Sequence, residues 1–451
     1  MEPELEASEG LKGYRGRVLK ILRDAGISVG DIVKITRGDT EYEGYLMPRS
    51  ESGDDLHIVI KLGSGYNIGV KVTSASRVER LGAGAKPSYT RSTQQPTRRG
   101  LRRVDIISTG GTIASRVDYR TGAVHPALTA ADLYSAVPEL SDLADVEAHI
   151  LYGELSENIT PEHWVGIAQK IAEVVKSGTD GVVVCHGTDT MAYTSAALSF
   201  ALRNLPVPVI VVGSQRSSDR PSSDAATNLL AAVAVASSAP FAEVAVAMHS
   251  SSSDKTVSIH RGTKVRKCHT SGRYAFRSIN SQPLAVFNLE QTDLKMLLSD
   301  YVRRNAERSL ELKASFNQKV LLVKFYPGMA PHALDWAIER GYSGLVIEGT
   351  GLGHVSRYLQ DSVRKAVEAG MLVGMTSQCL WGRVNMNVYT TGRDLLGLGV
   401  VPLEDMLPET ALVKMMWVLA QTSDLEEAKR LLLTDIAGEI SERTLLDDQT
   451  W

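Results

Sequence analysis

From Val104 onward the chain repeats short runs that are apolar along all or nearly all of their length: GVVVC at Gly181–Cys185, VPVIVV at Val207–Val212 and VLLVK at Val320–Lys324. A strand with one wet face alternates apolar and polar residues. A strand that is apolar throughout is covered on both faces, as in a parallel sheet sandwiched between helices. VDIIS (Val104–Ser108), EVAVAM (Glu243–Met248), GLVIE (Gly344–Glu348) and MLVGMT (Met371–Thr376) extend the series. Between them lie stretches with apolar residues at helical spacing: Trp164–Ser177, Ala330–Arg340 and Ser356–Ala369. Thr160-Pro161-Glu162 is a good helix start for the first of these. The alternation predicts an α/β fold built on doubly wound sheets. No repeat of solenoid type is visible.

The texture before Val104 is different. A polar lead carries a short helical pattern at Leu11–Ala25. It is followed by Asp31–Arg37, Tyr42–Arg49, His57–Leu62 and Asn67–Val72, roughly alternating and punctuated by Gly, Asp and Ser. Short strands at this spacing predict a small antiparallel β-barrel over residues 1–81. Residues 82–103 are rich in Gly, Pro, Ser and Thr and hold six basic residues and no acidic one, which reads as a basic linker. Such a segment is either a solvated tether or a strap lying near a phosphate backbone such as that of tRNA. A chain of 451 residues exceeds one ordinary domain, and the remainder divides into 104–307 and 308–451.

Composition narrows the function classes. Net charge is −3 with an isoelectric point near 6.4, so the molecule as a whole is not a basic nucleic-acid binder. Aromatics at 6% do not supply a base-stacking platform. Cys185, Cys268 and Cys379 stand far apart without a CxxC pair, which argues against a disulfide scaffold or a zinc knuckle and for a reducing cytoplasm. The opening MEPELEASEG is acidic and polar, unlike a signal peptide, and no apolar run reaches membrane-spanning length. No metal and no cofactor are expected for this chain.

Polar, chemistry-bearing clusters follow two of the strands. Ser108-Thr109-Gly110-Gly111-Thr112-Ile113-Ala114 comes directly after VDIIS, and His186-Gly187-Thr188-Asp189-Thr190 directly after GVVVC. Open α/β sheets bind ligands at the carboxyl ends of their strands. The first cluster lacks GxGxxG and GK[ST], so its threonines suit a nucleophile better than its glycines suit a phosphate. A third segment, Arg261-Gly262-Thr263-Lys264-Val265-Arg266-Lys267-Cys268-His269-Thr270, is a basic run. Such runs are usually solvated. A lysine beside a threonine can nevertheless act as a base if burial or a neighbouring cation brings its pKa down from about 10.4. His186 reads as a turn or core residue, and His260 and His269 have no ligand spacing with Cys268.

Taken together, TGGTIA, HGTDT and the downstream lysine resemble the L-asparaginase/glutaminase family. The resemblance continues in Val212-Gly213-Ser214-Gln215-Arg216, Ser223-Asp224-Ala225-Ala226-Thr227-Asn228-Leu229 and Gly349-Thr350-Gly351-Leu352-Gly353, and spans roughly residues 104–435. It implies two parallel-sheet α/β domains behind the N-terminal barrel. It implies Thr112 as nucleophile, Thr188 and Asp189 as the second catalytic threonine and its carboxylate, and Lys267 as the family lysine, with Lys264 as fallback. Tyr119 is the candidate for the family's lid tyrosine. Ser156 and Glu157 are candidates for gripping the donor amino acid, and backbone N–H groups at Gly111 or Gly187 for the oxyanion hole. YEGYLMPRSE, KLGSGYNIGV and the run from Ser377 to Leu419 resemble the D-subunit branch of archaeal glutamyl-tRNA(Gln) amidotransferases. That resemblance implies glutaminase or asparaginase activity, with ammonia passed to an E subunit. The E subunit would carry ATP and Mg and bind tRNA(Gln), and the resemblance further implies a homodimer within a heterotetramer. A free-standing L-asparaginase, or a non-catalytic tRNA- or nucleotide-binding protein, is the alternative reading.

Overall fold

Three apolar faces decide where the strands of the N-terminal unit lie. Val33 and Ile35, Ile58 and Ile60, and Val70 are all buried and recur with period two. In the computed structural model, which describes residues 11, 13–49, 54–62, 67–83, 100–110, 115–117, 124–126, 133, 137–216 and 223–444, these residues build one antiparallel sheet. Its strands are β1 (Ile32–Arg37), β2 (Thr40–Leu46), β3 (His57–Leu62), β4 (Asn67–Lys71) and β5 (Arg77–Gly82), in the order β4-β3-β2-β1-β5. Sequence reasoning did not anticipate the last strand. Its residues are half-buried or exposed, so its apolar face is faint. Helix α1 (Gly16–Asp24) closes the core with Val18 and Leu22. The expected small antiparallel domain takes the form of this five-stranded sheet. Most of the basic linker, residues 84–99, lies outside the described residues. The same compact unit holds a hairpin of β7 (Ser115–Val117) and β8 (Val124–Pro126).

The larger unit contains two lobes. In the first, β6 (Arg103–Gly110), β9 (Asp145–Glu154), β10 (Gly181–Cys185), β12 (Val209–Val212) and β13 (Val244–His249) run parallel in the order β9-β6-β10-β12-β13. The sheet does not stop there. Strands β14 (Thr256–Arg261), β17 (Ala285–Asn288) and β18 (Asp293–Met296) continue it in antiparallel register to eight strands. The first lobe is therefore a mixed sheet whose parallel half carries the expected strands. Two short antiparallel pairs stand apart from it: β11 (Leu202–Arg203) with β19 (Glu311–Leu312), and β15 (Val265–Lys267) with β16 (Phe276–Ser278). The second lobe is a four-stranded parallel sheet of β20 (Val320–Lys324), β21 (Gly344–Gly349), β22 (Leu372–Ser377) and β23 (Val401–Pro402).

Helices cover the sheets as the apolar strands require. Helix α2 (Pro161–Lys176) starts on Thr160, whose N–H donates to His163 Nδ1 at 3.0 Å, with Pro161 in its first turn. Helices α3 (Met191–Ala201) and α4 (Ala225–Ser238) are buried nearly all round. Helix α8 (Pro408–Gln421) is equally buried and packs Trp417 against Phe200 of α3, ring centroids 6.0 Å apart. Truncating either ring to Ala removes enough buried surface to cost about 3–5 kcal/mol. Between α4 and α8 the second lobe also has α5 (His332–Glu339), α6 (Gln360–Glu368) and α7 (Thr390–Gly397).

Candidate active site

The carboxyl ends of β6 and β10 are adjacent because the two strands pair in parallel, Ser108 beside Cys185. The Thr109 hydroxyl donates to Cys185 O at 3.0 Å and locks the two ends together. Gly110 follows at φ +113°, and a Cβ there would fall 2.1 Å from Glu154 O, so only glycine fits. Gly111, Thr112 and Tyr119 lie outside the described residues.

The turn after β10 is held from below by a buried chain of hydrogen bonds. Trp164 Nε1 donates to Thr194 Oγ1 at 3.1 Å, Thr194 Oγ1 lies 2.9 Å from His186 Nε2, and His186 Nδ1 lies 2.6 Å from Gly187 O. A carbonyl only accepts, so the proton sits on Nδ1 and Nε2 accepts from Thr194. Burial brings the His186 pKa down to about 4, so the ring is neutral and structural, as expected of a core residue. The chain of bonds has a consequence for chemistry. It turns the Gly187 carbonyl inward. The described residues include no cis peptide, so the N–H of Thr188, on the other side of that peptide plane, points away from His186. An oriented backbone N–H of this kind is what an oxyanion needs.

Lys267 ends β15, the short strand that pairs with β16. Its Nζ lies 2.8 Å from Thr188 Oγ1 and 2.7 Å from Asp189 Oδ1. Thr188 and Asp189 thus converge on an amine that lies 79 and 78 positions away in sequence. Thr188 is 9% exposed and the Lys267 side chain 14%, whereas the Asp189 side chain is 67% exposed. The carboxylate is therefore open to solvent and the hydroxyl–amine contact is shielded. The neutral amine can accept the Thr188 proton, and the ammonium can return one.

Lys264, the fallback, is placed elsewhere. It is buried, with Nζ 2.6 Å from Asp405 Oδ2 of the second lobe, and burial lowers its pKa against the pull of that carboxylate. It is a structural cation. Arg261 is likewise buried, paired with Glu243 at 2.9 Å. The basic run is thus largely interior. Long-range carboxylate partners make this possible, and spacing alone does not reveal them.

Ser156 is buried at the start of a single turn, Ser156–Asn158, and Thr190 Oγ1 donates to its carbonyl at 2.6 Å. A Cβ placed on Gly187 would fall 2.8 Å from Ser156 Cβ and 3.0 Å from its Oγ, so the two segments touch at the site. Glu157 is exposed. A second network was not anticipated from the sequence. Gln215 N–H donates to Asp224 at 3.0 Å, Asn228 Nδ2 to Gly213 O at 2.9 Å, and Asn228 Oδ1 meets His249 Nδ1 at 2.6 Å. It fixes the turn after β12, one strand over from Thr188. Its signal was the polar Asp224 and Asn228 at helical spacing in an otherwise apolar stretch.

Among the described residues, one cluster, Asp105, Glu147 and His149, has metal-ligand proximity. The Arg103 guanidinium already lies 3.1 Å from Asp105 and 2.7 Å from Glu147, so the arrangement is that of an ion-pair network. No described helix is long and apolar enough to cross a membrane.

Comparison with known proteins fits this geometry. Residues 103–299 match the family described as asparaginase, N-terminal; residues 319–432 match the glutaminase/asparaginase C-terminal domain; residues 27–81 match the GatD N-terminal domain. The chain is 51% identical over 437 residues to the D subunit of glutamyl-tRNA(Gln) amidotransferase from Metallosphaera sedula, covering 97% of this chain and 98% of the relative. The corresponding protein from Methanopyrus kandleri is 52% identical over 440 residues, 95% of each chain. Among solved structures, the thermostable L-asparaginase from Thermococcus kodakarensis is similar with a TM-score of 0.68 and 34% identity, over 76% of this chain and all (100%) of that one. L-asparaginase I from Vibrio cholerae gives 0.66 and 29%, over 76% of this chain and 99% of that one.

Proposed function

The chain belongs to the glutaminase/asparaginase family and, over nearly its whole length, to the D subunits of glutamyl-tRNA(Gln) amidotransferase; from that premise we propose that it releases ammonia from glutamine or asparagine by threonine chemistry at Thr112, Thr188, Asp189 and Lys267. The observation that carries the reading is the single amine of Lys267 within 2.8 Å of Thr188 and 2.7 Å of Asp189.

A threonine hydroxyl attacks an amide only if a base removes its proton. In the proposed mechanism Lys267 and Thr188 relay that proton while Asp189 orients the amine. The Thr112 oxygen bonds to the carboxamide carbon, the C–N bond breaks, and ammonia leaves with the proton handed back. Water then attacks the acyl ester, releasing glutamate or aspartate and restoring the hydroxyl. The Thr188 N–H, oriented through His186 and Gly187, stabilises the oxyanion, with Gly111 as second donor. Ser156 and Glu157 hold the donor's α-carboxylate and α-ammonium. The proposed steps call on no metal or cofactor in this chain.

The match to the amidotransferase D subunits supports a wider setting. The chain acts as a homodimer and hands ammonia to an E subunit, which holds tRNA(Gln), ATP and Mg, in a heterotetramer in the cytoplasm. The test is ammonia release from glutamine and from asparagine by the purified chain, with and without the E subunit and glutamyl-tRNA. Release that rises with both additions supports the amidotransferase setting. Strong release indifferent to both makes the chain a free-standing amidohydrolase.

A further inference from the structure

The Lys267 strand is bound to the second lobe on its other face. Successive residues of a strand point to opposite sides. Lys267 faces Thr188 and Asp189, while Arg266 faces Glu409, with Arg266 Nε 3.2 Å from Glu409 Oε1 and side chains 25% and 11% exposed. The adjoining residues are tied to the same lobe: Thr410 Oγ1 donates to Thr263 O at 2.8 Å, and Lys264 holds Asp405. Building on the assignment of Lys267 as the base, we propose that Arg266 and Glu409 form a cross-lobe charge pair that positions Lys267 and sets its electrostatic environment, with Glu409 masking the positive charge that Arg266 places beside it.

Three observations support this role. Glu409 stands in the first turn of α8, where the helix dipole favours a carboxylate. Its Oε2 is buried and has no hydrogen-bond partner among the described residues, while its Oε1 holds Arg266, the first of the two cations that act on it, Lys324 being the second. Arg277 sits opposite Arg266 in the β15–β16 register, so two cations share the face of the pair turned away from Thr188, and Glu409 offsets one of them.

The other groups around the pair are accounted for. Burial raises the Glu409 carboxyl and Arg266 pulls it back, while Glu348 adds to the rise and Lys324 opposes it. Glu348 itself meets Lys324 at 3.4 Å. The Tyr193 hydroxyl on α3 is pushed up to about 12, by burial first and then by Glu409, against Arg266. Burial also raises the Cys268 thiol. On the catalytic face stand Thr188 and Asp189.

A cation near an amine favours the uncharged amine, and a carboxylate favours the charged one. Removing Arg266 and removing Glu409 must then act in opposite directions, which a purely structural role does not produce. Arg266 and Glu409 are positioning residues, since neither touches the reacting atoms. The test is the pH profile of kcat/KM for ammonia release from glutamine, measured on the full chain with its partner subunit. It compares wild type, Arg266→Gln, Glu409→Gln, Glu409→Asp and Lys267→Ala. The acid limb is expected to move to higher pH in Arg266→Gln and to lower pH in Glu409→Gln. Each shift is expected to be on the order of half a pH unit, with Glu409→Asp returning toward wild type. Limbs that move the same way, or stay in place while kcat falls, overturn the proposal. If Glu409→Gln does not fold, Arg266→Gln decides alone: an upward shift supports the proposal and an unmoved limb overturns it. Lys267→Ala at the wild-type rate would overturn the base assignment beneath it, a different failure from a pH limb that does not respond.

Discussion

Lys267 Nζ and Thr188 Oγ1 lie 2.8 Å apart although 79 residues separate them in the chain. The pairing arises because Thr188 follows the end of a buried parallel strand and Lys267 terminates a short antiparallel one. If Thr188 relays the proton, its hydroxyl matters more than its methyl. Thr188→Ala is expected to lower kcat by about 100-fold or more, while Thr188→Ser keeps most activity. Steady-state kinetics on both variants check this, and equal loss in the two would point to packing instead.

Lys264 and Asp405 are a different kind of pair, with side chains 2% and 4% exposed and no access to the site. Removing Lys264 leaves the buried Asp405 carboxylate with Arg383, 3.8 Å away, as its remaining ion-pair partner, which costs on the order of 3 kcal/mol. Lys264→Met is expected to lower the melting temperature by several degrees while the folded fraction keeps its kcat. Thermal unfolding beside activity at low temperature separates the two effects.

His186 gives a pH prediction for stability. Its folded pKa of about 4 lies below the ordinary value of 6.5, so the unfolded chain takes up a proton first as pH falls. The stability contributed by the neutral ring is present above pH 6.5 and is lost as pH drops toward 4. The loss is on the order of 3 kcal/mol. His260, brought down to about 3 by burial, acts in the same direction. Urea unfolding at about pH 7.5 and about pH 5, on either side of an ordinary histidine pKa, should show the wild type losing stability. His186→Gln should lose less between the same two points.

Gly187 tests the substrate grip. A Cβ there meets Ser156 at 2.8 Å, and the Ser156 carbonyl is held by Thr190, so the Ser156 turn must move. Gly187→Ala is expected to raise KM for glutamine more than it lowers kcat. An unchanged KM would remove Ser156 from donor binding.

The legible parts of the fold were those whose burial leaves a one-dimensional trace. Gly181–Cys185 and Val320–Lys324 are strands with the very ends read from their apolar runs, and His57–Leu62 likewise. The edge strand β9 was missed because its buried, half-buried and exposed residues follow no period. Strand β14 was missed because Ser258, His260 and Arg261 are buried polar residues, kept inside by side-chain partners on neighbouring segments, Ser250, Ser278 and Glu243. Helices α3, α4 and α8 are buried on nearly every side, polar residues such as Thr194, Asn228 and Lys414 included, so no helical stripe stands out. At the site, residue types and order pointed to Thr188, Asp189 and Lys267. The buried partners that decide between Lys264 and Lys267, and the inward turn of Gly187 O, depend on contacts that no local pattern encodes.

The most direct measurement is ammonia release from glutamine by Lys267→Ala beside wild type, each with the E subunit and glutamyl-tRNA present. The account predicts a loss of about 100-fold or more in kcat with a melting temperature close to wild type, since Lys267 is paired with a largely exposed carboxylate. Wild-type release from Lys267→Ala would contradict it, because the amine that joins Thr188 to Asp189 would then have no part in moving the proton.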